Sequence, residues 1–349
     1  MRPYLIAVCF LFIAPDVRAW NAAGHRLVAA IAWQQLSPAS QDFVTATLAA
    51  HPDHTRWVDR ARSVEPAAIF AEASTWPDDI RSDPRFHDAG RDNPTPPLPG
   101  FSDSARHKEW HYVDLDRHGN TAHGEADRQI ERLTRLLYPE GASYGARSTR
   151  KINEISYALP WLLHLVADIH QPLHVGHEDD DGGTKVEIEN PFNKRLPVSS
   201  LHLYWDDLPG PPWLRGKRLD RNVQRLLATH PAPVQGDVAL WLQESHALLA
   251  SAYPVTKGDH LPVVSEDFNR QAHAINSGLC PEPDRGRLVR AALRFDARHG
   301  VLACVGRDDG ACTGLDEHRV DQWRLAHGDS IDAEVGARLI DADRELCDT

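Results

Sequence analysis

The chain has 349 residues, 42% hydrophobic and 25% charged, with a formal net charge of −12 at pH 7. That length and composition exclude a disordered or fibrous chain and suit one large domain or two small ones. The acidic balance excludes a protein that grips nucleic acid through a broad basic surface, so any attraction for a polyanion must be local, as bound divalent cations would make it.

Residues 1–19 read as a removable signal, with Arg2 in front, an apolar run from Leu5 to Ala14, and Val17-Arg18-Ala19 as the cleavage site. The run is too short to span a bilayer, so no membrane anchor is expected and the product is expected to be secreted or periplasmic. Cleavage makes Trp20 the first residue of Trp20-Asn21-Ala22-Ala23-Gly24-His25. A free α-amino group and the carbonyl of the same residue can chelate a metal in a five-membered ring, and His25 can close such a site. Leu27, Val28, Ile31 and Trp33 recur at helical spacing after Gly24, and Ser40 is the expected cap of a helix running to about Ala50. Residues 82–107 carry five prolines and several Asp and Gly, which predicts a surface loop. Residues 126–138 read as an amphipathic helix through Ile130, Leu133 and Leu136-Leu137. A long helix is expected from Thr149 to Ile169, ended by Pro172. Lys185-Val186-Glu187-Ile188-Glu189 is the best alternating run, half of a small hairpin. Pro209 to Pro212 reads as a loop, and residues 237–252, 265–277 and 284–298 as further helices.

The expected fold is therefore a mainly α helical bundle. Cys9 leaves with the signal, and Cys280, Cys304, Cys312 and Cys347 all lie near the C-terminus with no CxxC spacing. An even count in an exported chain reads as two disulfides stapling a C-terminal tail. Of three pairings, Cys304–Cys312 as a short ring with Cys280–Cys347 as a brace is favoured.

Three segments concentrate His and Asp. In Trp161-Leu-Leu-His164-Leu-Val-Ala-Asp168-Ile-His170-Gln-Pro-Leu-His174, His164 and Asp168 share one face of a helix that is otherwise apolar. A carboxylate buried there is costly unless paired or metal-bound. Leu201-His202-Leu-Tyr-Trp205-Asp206 repeats the i, i+4 spacing, Trp110-His111-Tyr112-Val113-Asp114 is the third segment, and Asp78 in Trp76-Pro77-Asp78-Asp79-Ile80-Arg81 is a lone further ligand. One His-xxx-Asp pair is more often a surface ion pair than a ligand. Two within aromatic and apolar runs point to zinc or another borderline metal, more than one ion, and mixed N and O donors without thiolate suit a catalytic site.

These motifs, in this order and spacing, resemble the S1/P1 nuclease family of zinc-dependent single-strand nucleases and 3′-nucleotidases. The resemblance rests on Trp20…His25, Trp76-x-Asp78-x-x-Arg81, Trp110-His111-Tyr-Val-Asp114, His164-xxx-Asp168-Ile-His-Gln-Pro-Leu-His174, Asp181-Gly182-Gly183 and Leu201-His202-xx-Trp205-Asp206. It covers roughly residues 20–280 and leaves 281–349 as an extension packed on the same domain. It implies an all-α fold of the phospholipase C/P1 nuclease type and three Zn²⁺ ions. By position, Asp78, His111, His164 and Asp168 hold one ion and His174, His202 and Asp206 a second. The Trp20 amine and carbonyl, His25 and the other oxygen of Asp168 hold the third. The implied activity is hydrolysis of single-stranded DNA, RNA and 3′-nucleotides to 5′-phosphate products by a monomer, with a water shared by two zincs as nucleophile. Asp114 orients that water, Arg81 holds the phosphate and Tyr112 stacks on a base. Pro77, Thr184 and Ser200 depart from the family pattern, and Pro160 is expected to kink the long helix. A zinc phospholipase C and a non-catalytic secreted zinc-binding protein are the alternatives. The first fits less well, because its first His lies farther from the leading Trp and its last ligand pair ends in Glu.

Overall fold

The computed structural model describes residues 20–277 except Pro97, residues 117–119, 138–148 and 230–236, Lys257 and Asp259. The signal segment, the four cysteines, the helix expected at 284–298 and the extension 281–349 lie outside the described residues. Among those described, helices dominate and the only sheets are two antiparallel hairpins. No helix among them is long and apolar enough to cross a membrane.

The centre of the molecule is α7 (Thr149–Asp168), which is buried almost continuously from Ile155 to Asp168. Its apolar side chains run all around the helix, as expected of a helix covered by neighbours on every side. The helix continues through Pro160; the ring costs one backbone hydrogen bond, but neighbouring packing holds the helix together. Around it lie α1 (Ala22–Gln35), α2 (Pro38–Ala49), the short α5 (Trp76–Asp79) and α6 (Ala126–Leu137), while α3 (His54–Ala61), α4 (Pro66–Ala73) and α9 (Gly216–Thr229) form the outer layer against α1 and α4. Helix α2 starts at Pro38, and its cap is Ser37, whose Oγ accepts from the Ser40 amide at 3.2 Å. The expected cap Ser40 is instead a donor to it, because Pro38 fits only the first turn of a helix.

The first hairpin pairs β1 (Val113–Leu115) with β2 (Thr121–Gly124), and the second pairs β3 (Glu187–Glu189) with β4 (Val198–Ser200). The expected strand at Lys185–Glu189 is thus real but shorter. β4 leads into α8 (Leu201–Asp207), where Ser200 caps the helix by accepting from the Leu203 amide at 3.2 Å. Helices α10 (Val238–Ala247) and α11 (Glu266–Ser277) complete the bundle. The Ser245 hydroxyl of α10 donates to the Ile169 carbonyl at 2.6 Å, which satisfies one open carbonyl at the end of α7.

A buried ion cluster fastens α1 to α4. Arg26 and Glu72, each 2% exposed, meet through two hydrogen bonds of 2.8 and 3.0 Å, and Arg215 reaches the same carboxylate. Removing the shared carboxylate leaves a buried guanidinium without its counter-charge. Glu72→Ala is therefore expected to lower unfolding stability by about 3–5 kcal/mol. A urea midpoint equal to that of the unaltered protein would show that the cluster carries no stability.

Candidate metal centre

The ends of five segments converge beside α7. Helix α1 contributes His25, α5 contributes Asp78, and a 3₁₀ turn at Lys108–His111 contributes His111. The last turn of α7 contributes His164 and Asp168, and a second 3₁₀ turn at Pro172–Val175 contributes His174. Helix α8 contributes His202 and Asp206. Their donor atoms form three compact groups: His25, Asp78 and His164; His111, His164 and Asp168; and His174, His202 and Asp206.

Asp168 sits at the junction. Its Oδ1 lies 3.4 Å from His25 Nε2, while Oδ2 lies 3.0 Å from His111 Nδ1 and 3.3 Å from His164 Nε2. The two oxygens thus face different groups of imidazoles. Asp78 Oδ1 is 3.7 Å from His164 Nε2, and Asp206 Oδ2 is 3.6 Å from His202 Nε2. Asp168 and Asp206 are fully enclosed.

The ring nitrogens say what these groups are for. His164 Nδ1 donates to the Ser74 carbonyl at 2.8 Å, His174 Nδ1 to the His111 carbonyl at 2.6 Å, and His202 Nδ1 to the Gly182 carbonyl at 2.7 Å. Each bond holds its ring with Nε2 turned toward the other donor atoms of its group. His174 Nε2 and His202 Nε2 face one another at 3.2 Å, close enough for one cation to be bound by both. Both ring nitrogens of His25, His111 Nε2, Asp78 Oδ1 and Asp168 Oδ1 are buried without a hydrogen-bond partner. Orphaned buried donors and acceptors are rare in proteins and call for an explanation. The donor set, imidazole nitrogen and carboxylate oxygen with no thiolate, fits zinc.

The acid–base balance of the bare protein points the same way. Burial holds His25, His111 and His174 well below the usual histidine range, hence neutral and able to ligate. Burial also pushes the Asp168 carboxyl up to about 6 and Asp206 well above the carboxylate range. Enclosed carboxylates of this kind are stable as anions only beside a positive charge, which a divalent ion supplies.

His111, His174 and His202 open onto a cleft of about 360 Å³. Arg81, Tyr112 and Asp114 all line it, beside His111, His174 and His202. Arg81 is buried, its Nε 3.3 Å from Asp78 Oδ1, and the competing partner Asp79 is taken by Arg60 instead. Asp114 is buried within β1, opposite His123 of β2. Tyr112 is partly buried, and its hydroxyl is pushed up to about 12 by that burial, so it stays protonated. Trp20 is buried with its Cβ against Gly24. Asn21 next to it donates its amide to the Asp206 carbonyl at 3.1 Å and its side chain to Asp207 and Gly210, each at 2.8 Å. The chain before α1 is therefore pinned to the ligand end of α8. A second hollow, of about 570 Å³, is lined by Arg56, Asp79, Ser82, Asp83, Pro84 and Arg85 and holds none of these residues except the neighbour of Asp78.

Two supporting residues stand in the quoted motifs without a role of their own. Gln171 donates Nε2 to Asp206 Oδ1 at 3.1 Å while its Oε1 accepts from the Leu173 amide at 2.6 Å, so it orients one ligand from between two others. Its place between Asp168 and His174 is the available signal. Gly182 is the other: at φ +57° a Cβ there would lie 2.5 Å from the Leu173 carbonyl oxygen, so the close approach that lets its own carbonyl hold His202 admits only glycine.

Comparison with known proteins agrees with this geometry. The family profile described as S1/P1 Nuclease matches residues 20–277. Endonuclease 1 of Arabidopsis thaliana is 27% identical over 211 residues, covering 58% of this chain and 57% of that protein. Endonuclease 2 of the same plant is 25% identical over 203 residues, 58% of this chain and 60% of its own length, and Endonuclease 4 is 33% identical over 118 residues, 33% and 36%. The chain spans little more than half the length of the longest-matching of these relatives.

Proposed function

This chain belongs to the S1/P1 nuclease family, and on that premise we propose that it is an exported, monomeric, zinc-dependent nuclease. It hydrolyses phosphodiester bonds of single-stranded DNA and RNA to 5′-phosphate products and removes the phosphate of 3′-nucleotides. The observation that carries the reading is Asp168, fully buried on an apolar helix with its two oxygens facing separate imidazole groups. Three zinc ions are proposed, and their ligand sets cut across the first two groups, because His25 lies with Asp78 and His164. Asp78, His111, His164 and Asp168 would hold one, His174, His202 and Asp206 another, and Trp20, His25 and Asp168 the third. The family match begins at Trp20, which supports cleavage after Ala19.

Bound zinc supplies phosphate-charge neutralisation and a water acidic enough to ionise near neutral pH. The residues around it do the rest. Arg81 donates its guanidinium fork to the non-bridging phosphate oxygens, which gain charge as the phosphorus becomes five-coordinate. Asp114 accepts a hydrogen bond from the attacking water and aims it in line with the departing 3′ oxygen. Tyr112 offers its ring face to an unpaired base, and a duplex hides that surface, which favours single strands. The buried imidazoles, each tethered through Nδ1 where a carbonyl is in reach, keep the site from relaxing between turnovers. Arg81 and Asp114 facing the cleft weigh against a non-catalytic zinc protein.

Removal of metal is the direct test. EDTA is expected to abolish hydrolysis of denatured DNA, RNA and 3′-nucleotides, and added zinc to restore it, with phosphatidylcholine untouched throughout. Full activity in protein shown by elemental analysis to be metal-free would sink the reading. Turnover of phosphatidylcholine in place of nucleic acid would replace it with a phospholipase.

A further inference from the structure

One side of the cleft is built by the proline-rich loop 82–107 and the turn after it: Asp88, Ala89, Arg91, His107, Lys108 and Glu109 line it beside His111. Arg106 clamps this loop to the site. Its Nε donates to the Ile80 carbonyl and its Nη2 to the Asp83 carbonyl, both at 3.2 Å, while Nη1 reaches Asp88 at 3.4 Å and Asp92 at 3.1 Å. Lys108 Nζ donates to the other Asp88 oxygen at 2.7 Å. The amides of Arg91 and Asp92 donate to the Asp88 carbonyl at 3.1 and 2.9 Å, with Gly90 at φ +77° completing a tight turn. The turn is therefore fixed to the bundle through Asp88.

Four arginines lie between positions 81 and 106. Arg81 pairs with Asp78, Arg85 with Asp53 and Asp83, and Arg106 with Asp88 and Asp92. Arg91 alone has no carboxylate within 4.0 Å among the described residues, and it is exposed at the mouth of the cleft. Lys108 beside it is neutralised by Asp88. Of the other charged groups there, Glu109 is acidic and repels phosphate, and Asp181 is paired with Lys185 at 3.8 Å. A cavity of about 360 Å³ is the size of a pocket for one small ligand, hence about one nucleotide, so a longer strand must leave over the rim. Its anionic backbone passes most favourably over the Arg91 guanidinium, which has no carboxylate within 4.0 Å among the described residues and whose main chain the Asp88 turn fixes.

We infer that Arg91 binds the phosphate of a nucleotide adjoining the one being cleaved, and so sets a preference for strands of several nucleotides over dinucleotides. The inference rests on the nuclease reading above. It concerns a residue that touches neither the ligand set nor the scissile phosphate.

The test uses zinc-loaded protein and a fluorescent single-stranded phosphorothioate DNA that resists hydrolysis, read by anisotropy. Arg91→Ala is expected to raise Kd about fivefold at low salt and to flatten the plot of log affinity against log salt by about 0.7, the value of one lost phosphate contact on a single strand. The ratio of kcat/KM on an oligonucleotide to kcat/KM on a dinucleotide should fall in the same proportion, through KM, with zinc per chain unchanged. Arg91→Lys should recover much of the loss, and Arg270→Ala, on the exposed face of α11, should change nothing. Unchanged Kd and salt slope, or an equal loss on oligonucleotide and dinucleotide, would overturn the assignment. A protein that binds the strand with this dependence yet cleaves nothing would refute the nuclease reading and leave the Arg91 contact standing.

Discussion

Asp168→Asn is expected to remove more than one zinc ion per chain and to lower hydrolysis of single-stranded DNA by on the order of 10³-fold or more. The carboxylate faces both His25 and the His111–His164 pair, at 3.0 to 3.4 Å. An amide offers one neutral oxygen and a nitrogen that cannot ligate, so one ion loses its bridge and the other its charge balance. The imidazoles left behind are buried and unpaired, each at a cost of about 1–3 kcal/mol, so the variant should also unfold at lower urea. Arg81→Ala is the informative companion. It should keep its full complement of zinc and lose about 10²-fold in turnover, as for one transition-state donor. Elemental analysis and turnover on both variants separate the roles. Equal zinc loss in the two would mean that Arg81 supports the site and Asp168 does not bridge it.

Much of this site is legible in the amino-acid sequence, because its residues are dense and regularly spaced. His164 and Asp168, and His202 and Asp206, stand four apart, and a helix must bring such pairs to one face. The long α7 is equally plain, since an apolar run of that length has no other place than the centre of a bundle. Elements without such periodicity escape a reading by pattern. Helices α3, α4 and α5 have eight residues or fewer, and isolated helices that short are set by what they pack on. The β1–β2 hairpin carries Asp114 but spans only three and four residues, too short for an alternating pattern to mark a strand. Ser37 and Ser40 both suit a cap, and Pro38, which tolerates only the first turn, decides between them. Gln171 and Gly182 act through single hydrogen bonds across the fold, and no local pattern announces such a contact.

The charge of the chain also finds its place. The overall −12 repels a polyanion, so attraction must be local, and in the proposed reading it comes chiefly from the cleft floor, where three divalent ions would add six positive charges. Affinity then depends on metal occupancy, and loss of even one ion should weaken substrate binding as well as chemistry.

Protein that begins at Trp20 and protein that carries one more residue before it are expected to differ sharply. If the Trp20 amine is a ligand, a preceding Met converts it into an amide whose lone pair is delocalised into the carbonyl and is not available to zinc. His25 and Asp168 alone then make a two-point site, which holds an ion far less well than the four-coordinate sites typical of bound zinc. Met-Trp20 protein, made without residues 1–19, should bind two zinc ions firmly and the third poorly. Its turnover on single-stranded DNA should fall by on the order of 10²-fold, the size of effect seen when one electrostatic contributor is lost. The bundle should still fold, because Trp20 and Asn21 keep their contacts with Gly24, Asp206 and Asp207. A tag at the C-terminus should be harmless by comparison, since residues beyond 277 lie outside the family match. The measurement is zinc per chain and turnover for the two forms side by side. Identical values would remove the amine from the ligand set and leave His25 stacked on His164, at 3.8 Å between ring centres, as a buried histidine with no metal to hold.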